Sequence, residues 1–185
     1  MTNQTTIHVG LTGHRPKKLG GYRINTPAYL RLQQDLELYI MYQLQRYDVV
    51  VGHSGLALGA DTIWSKAILA MRERYPNRVQ FHAEIPMMEQ PSKWFAKSDI
   101  DFWHKQVDEA DFKSVYGDLS GCKNDKERRR LAIALLDKRN EGMLDHSDIL
   151  LAVWDGTSGG TGNAVKYARK TGLEIVRIYP DKYFS

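Results

Sequence analysis

A single cysteine, Cys122, is all the thiol chemistry this 185-residue sequence holds. One thiol excludes an intrachain disulfide and any zinc cage built from thiolates. In its polar Gly-Cys-Lys setting it reads as incidental. Long apolar runs are missing too: no stretch approaches the roughly 18 residues that a membrane span needs. Met1–Thr6 has neither the basic nor the apolar part of a secretory leader. A soluble, cytoplasmic protein with no membrane partner is expected. None of the six histidines falls in a His-x-x-His or His-Glu-x-x-His pattern, so linear spacing argues against a zinc site. No metal and no obligatory cofactor is therefore expected. Internal repeats, linkers and low-complexity tracts are also absent, and residues 1–185 read as a single domain.

What is present suffices for a folded core. Apolar residues make up 42% of the chain and charged residues 26%, far from the composition of a disordered segment. The formal charge of +4 favours anionic ligands only mildly, but it is concentrated. Lys123 to Arg139 holds seven basic and three acidic residues and so carries the whole excess. That stretch is either a solvated helix face or a contact for nucleic acid or a charged ligand.

Apolar patterning gives an alternating order of strands and helices. Strands are expected at Thr6–Thr12, Asp48–Gly52, Val79–Ile85, Asp111–Tyr116, Asp148–Trp154 and Glu174–Tyr179. Helices are expected from Pro27 through Leu44, Leu58 to Met71, Ser92 to Glu109, Asp125 to His146 and Thr161 to Lys170. Strands and helices of these lengths, taken in turn, form βαβ units. The fold class that follows is α/β, a Rossmann-like three-layer domain with a mostly parallel sheet and helices on both faces.

Ligands of such sheets bind beyond the carboxyl ends of the strands, where strand order reverses. Three strand ends here carry unusual residues. The first leads into Thr12-Gly13-His14-Arg15-Pro16, the second into Gly52-His53-Ser54-Gly55-Leu56-Ala57-Leu58-Gly59-Ala60-Asp61, and the fifth into Trp154-Asp155-Gly156-Thr157-Ser158-Gly159-Gly160-Thr161-Gly162-Asn163. Glycine lets backbone amides approach an anion closely at a helix N-terminus, which suits phosphate. Glycine also serves ordinary turns, so it is the convergence of two such loops with an arginine in a third that points to a ligand.

Those motifs carry a resemblance. Ser54-Gly-x-Ala-x-Gly59-x-Asp61 is similar to the signature of the DNA-processing protein A (Smf) domain, and Asp155-Gly156 with Gly159-Gly160-Thr161 resembles the glycine loop of the LOG ("lonely guy") nucleotide phosphoribohydrolases. Together they resemble the SLOG superfamily. Thr12–Pro16, Leu19-Gly-Gly-Tyr22, Arg139-Asn140-x-x-Met143 and Trp154-Asp-Gly156 are similar to its YpsA-like branch, DUF1273, and the match runs from about residue 7 to 179. The resemblance implies a ligand related to nucleotides, NAD or ADP-ribose, held by a homo-oligomer whose commonest form would be a dimer. It implies no defined reaction. The LOG-type carboxylate of Gly-Thr-x-x-Glu is missing, because Gly160-Thr161-Gly162-Asn163 is followed by Ala164.

Residue by residue, alternatives stand. Arg15 either forks onto a phosphate or is a surface arginine. His14 either donates to the ligand or packs under its loop. Ser54 and Thr161 have hydroxyls suited to phosphate oxygens, or to capping. Asp61 orders its loop or accepts from a ribose hydroxyl, and Asp155 meets ribose or forms a turn. Asn140 and Asn163 could reach a base or sugar edge. Gln90 and Trp94 either stack on a base or pack in a lid, while Trp64, Trp103 and Trp154 belong to the core. Four functional readings remain open. The first is a nucleotide-binding sensor, sequestering protein or enzyme, the second a single-stranded nucleic-acid binder, the third a LOG-like phosphoribohydrolase lacking its usual carboxylate, and the fourth a purely structural or assembly role.

Overall fold

The computed structural model describes residues 4–184. The leader-free reading of Met1–Asn3 lies outside them. Six strands form one sheet: β1 (Thr6–Gly13), β2 (Val49–Ser54), β3 (Val79–Ile85), β4 (Phe112–Val115), β5 (Ile149–Val153) and β6 (Glu174–Ile178). They alternate with α1 (Pro27–Leu44), α2 (Ala60–Arg74), α3 (Lys97–Glu109), α4 (Asp125–Asp145) and α5 (Gly160–Thr171). The order across the sheet is β4-β3-β2-β1-β5-β6, and every pairing is parallel. The chain walks outward from β1 to β4 and then returns to lay β5 against the free side of β1. Strand order therefore reverses between β1 and β5.

Right-handed crossovers walking in opposite directions place their helices on opposite faces. One face carries α1, α2 and α3 over the main core, where Leu32, Leu36, Trp64, Ile68 and Trp103 pack against Val9, Leu11, Phe81 and Leu151. The other carries α4 and α5 over a smaller cluster of Met143, Leu144, Leu150, Ala152, Ala164, Val165 and Ala168. The centre of the sheet is buried on both sides, so β2 and β5 read as unbroken buried runs rather than alternating ones.

Two expectations need correction. The helix anticipated over Ser92–Glu109 is a short 3-10 turn at Gln90–Lys93 followed by α3 from Lys97. Pro91, lacking an N–H, sits second in that turn, where no donor is needed, and the chain runs extended at Trp94 and Ala96 before α3 begins. Trp154 borders the smaller core cluster without being enclosed in it. It lies half-buried at the end of β5, its indole N–H donating to Thr157 O at 2.7 Å and its ring 4.9 Å beneath the Arg177 guanidinium.

Candidate functional site

The loops that follow β1, β2 and β5 meet at the reversal point, and backbone hydrogen bonds of one residue join them. His14 N–H donates to Val153 O at 3.1 Å, and His14 O accepts from Ala60 N–H at 3.2 Å. Its imidazole, 5% exposed, places Nε2 2.7 Å from Asp155 Oδ1. Gly59 permits this approach. It caps α2 at φ +105°, and a Cβ there would lie 2.4 Å from His14 O.

A crevice of about 530 Å³ opens above these loops, roofed by the middle of α4. Gly13, His14, Arg15, Asp61, Asn140, Gly159, Gly160, Thr161 and Asn163 line it. So do residues that linear reading did not single out as site residues, among them Lys18, Leu136, Asp137 and Arg139. The volume falls within the range of small-molecule and cofactor clefts.

Chemically, the crevice combines fixed dipoles with mobile and immobile cations. Gly159 stands at the N-cap of α5 and offers no side chain to satisfy the first-turn amides, which have no intrahelical partner. Arg15 is exposed at the rim. Arg139 is buried at the back, its Nη1 3.4 Å from Asp61 Oδ2. That contact is long, and Arg139 Nε is buried with no hydrogen-bond partner among the described residues. Burial pushes the Asp61 carboxyl up, against the pull of Arg139 and Arg15, and burial likewise pushes the Arg139 guanidinium down against the pull of Asp61.

The remaining residues singled out from sequence do not line the crevice. Ser54 is fully buried, accepting from Leu56 N–H at 3.3 Å and from Ser65 Oγ at 2.9 Å. It braces the loop and caps no helix. Gly55 leaves the space that Arg139 occupies. Gln90 bridges the β2 loop to α3, donating to Gly55 O at 3.1 Å and accepting from Trp103 Nε1 at 2.9 Å. Trp94 is half-buried against the main core. Asp155 and Gly156 shape the turn, with the Asp155 carboxylate accepting from Thr157 N–H at 2.8 Å and from its hydroxyl at 2.6 Å. Ala164, at the position of the missing glutamate, packs in the smaller apolar cluster.

No family model matches the chain. A relative does: the chain is 30% identical over 174 residues to the SPbeta prophage-derived protein YoqJ of Bacillus subtilis (strain 168), an alignment covering 88% of this chain and 95% of that protein. The chain belongs to the YoqJ family. Among solved structures, this YoqJ relative shares its fold with DNA processing protein A (DprA) from Streptococcus pneumoniae, at a TM-score of 0.59 and 15% identity. The same protein from Helicobacter pylori, described for its single-stranded DNA binding mode, matches at a TM-score of 0.55 and 16% identity. Both matches cover 94% of this chain but only 50% and 65% of the DprA chains. No helix of the described residues is long and apolar enough to cross a membrane.

Proposed function

We propose that the crevice binds a nucleotide through its phosphate, seated on the first-turn amides of α5 and clasped by Arg15 and Arg139. The observation that carries this reading is Arg139, whose buried Nε–H has no hydrogen-bond partner among the described residues and which lines the same cleft as the uncapped N-terminus of α5. An orphaned donor in a low-dielectric site costs stability unless a ligand satisfies it. An anion there would also gain from the α5 dipole. Asn140 and Asn163 line the same crevice and are the side chains suited to a sugar or base edge. Within the SLOG superfamily, the motifs at Thr12–Pro16 and Trp154–Gly156 favour the YpsA-like branch. No hydrolytic step is assigned, since the position of the LOG carboxylate is an alanine in the apolar cluster.

A second reading is favoured by the fold comparison: the nucleotide is one unit of a single strand, by analogy with the single-stranded DNA binding of the Helicobacter pylori protein. Exposed Lys126, Arg129 and Arg130 at the start of α4 would continue a phosphate track toward the crevice. The two readings separate by salt. Affinity for an oligonucleotide that neutralises several phosphates falls steeply with ionic strength, whereas a mononucleotide held by buried donors is far less sensitive. Mass spectrometry of small molecules released from the purified protein, with titrations of ADP-class nucleotides and oligo-dT at two salt concentrations, tests both. Binding of neither class overturns the placement of the site.

A further inference from the structure

The sheet face beneath α4 is not filled by hydrocarbon where β1, β2 and β3 cross it. His8, His53 and His82 come from those three strands, Glu84 from β3, and His146 caps the end of α4. His53 pairs in register with His82, and Gly10 with His53, so strand alternation sends these side chains to the same face. Three of the six histidines thus reach one carboxylate, and a fourth, His8, meets it through His53. Glu84 is fully buried, and its ion-pair partners among the described residues are imidazoles alone. Side chains of His53, His146 and Tyr116 hydrogen-bond this carboxylate, and among the described residues no lysine or arginine stands within ion-pair distance of it.

We propose that His53, Glu84 and His146 form a site for a divalent transition ion of the zinc class, separate from the crevice. His53 Nδ1 lies 2.9 Å and His146 Nδ1 3.2 Å from Glu84 Oε1, and the three donor atoms fall within 4.8 Å of one another. In a tetrahedral site with bonds of about 2.0–2.1 Å, neighbouring donors stand roughly 3.3 Å apart. Two of the three edges are therefore already close to that spacing. The third closes by rotation of His146, the one ligand with an exposed side chain, at 48% against 1% for His53 and 0% for Glu84.

The outer contacts fit the same assignment. Metal-bound imidazoles ordinarily hand their second N–H to an acceptor, and bound carboxylates are hydrogen-bonded in turn. His53 Nε2 lies 2.9 Å from His8 Nδ1, and Glu84 Oε2 accepts from the Tyr116 hydroxyl at 2.8 Å. His82 Nε2, 3.8 Å from Glu84 Oε1, is engaged by Ser114 Oγ at 2.8 Å and is not counted among the ligands. Two imidazoles with one carboxylate select zinc-like ions over magnesium or calcium, which prefer oxygen cages. Exposed His146 supplies the entry path, and none of the three ligands lines the crevice.

The test uses tag-free full-length protein, stripped with a chelator and titrated with Zn²⁺ alone by calorimetry, with metal content read by elemental analysis. One equivalent is expected, with a raised melting temperature. His146→Ala changes only a surface side chain of the set and should weaken Zn²⁺ binding by more than the about 10–100-fold typical of losing a supporting hydrogen bond. His8→Phe should weaken it within that range. His104→Ala, an exposed imidazole elsewhere, should change nothing. Uptake below one equivalent, or equal losses in His146→Ala and His104→Ala, would overturn the site.

Discussion

The Arg139 guanidinium fills the space that a side chain at Gly55 would need: a Cβ built there would lie 0.8 Å from Arg139 Nη1. A glycine in one loop and an arginine from a helix more than eighty residues later are therefore one structural unit, with Asp61 as its third member. Gly55→Ala should displace the guanidinium and strand the Asp61 carboxylate. Arg139→Met strands it directly, and a loss of about 3–5 kcal/mol is expected, the cost of removing one partner of a buried pair. Adding Asp61→Asn to Arg139→Met should restore much of it. Urea unfolding of the three variants checks this; a loss under about 1 kcal/mol in Arg139→Met would mean the pair is not buried in solution.

Arg15 reaches the crevice from an exposed rim, so its side chain contributes little to the packing of the fold. Arg15→Ala should leave the melting temperature unchanged and weaken nucleotide binding by about 10- to 100-fold, the worth of a charge-assisted hydrogen bond. Calorimetric titration reads the change.

At Gly160, open space surrounds the position where a Cβ would go. An acidic residue there sits in the first turn of α5 and interacts favourably with the helix dipole, by about 0.3–1 kcal/mol. Gly160→Asp should hold or raise thermal stability while abolishing anion binding. Retained binding would place the phosphate elsewhere.

The Asp155 carboxyl is held well below its ordinary value of 3.8 by the Thr157 hydroxyl above all, with desolvation opposing as the next largest effect and the Thr157 amide and His14 adding to the lowering. A depressed folded value means that the stabilisation is present above the unfolded value, near 3.9, and is lost as pH falls below it. Asp155→Asn removes that contribution. The stability gap between wild type and variant should be constant at neutral pH and narrow as pH drops below about 4. A gap that stays constant down to the acid limit would show that Asp155 is not held by these contacts.

The alternation of elements was legible because it depends on near neighbours. Val49–Val51 and Ile149–Val153 are β-branched or apolar runs broken by glycine or aspartate, and Pro27 opens α1 at its first turn. The glycine loops were legible for the same reason. Trp94 and Gln90 were not: they follow β3, which lies two strands from the reversal point, so their side chains turn into the core and toward Trp103. Linear spacing missed Arg139 as a crevice residue, since a basic helical stretch looks the same whether one of its members is exposed or buried. It also missed the gathering of His8, His53, His82 and His146, which no local motif can encode when each comes from a different element.

Hydrophobic periodicity and turn chemistry, both short-range effects, were enough to give this chain its strands, its helices and the glycines at three strand ends. Packing settled the remainder. Placing β5 beside β1 brought the three loops to one crevice, swung Arg139 over Gly55 and set imidazoles around Glu84. Such contacts depend on strand order and on which face each side chain takes, and these emerge only when elements far apart in sequence bury their surfaces against one another.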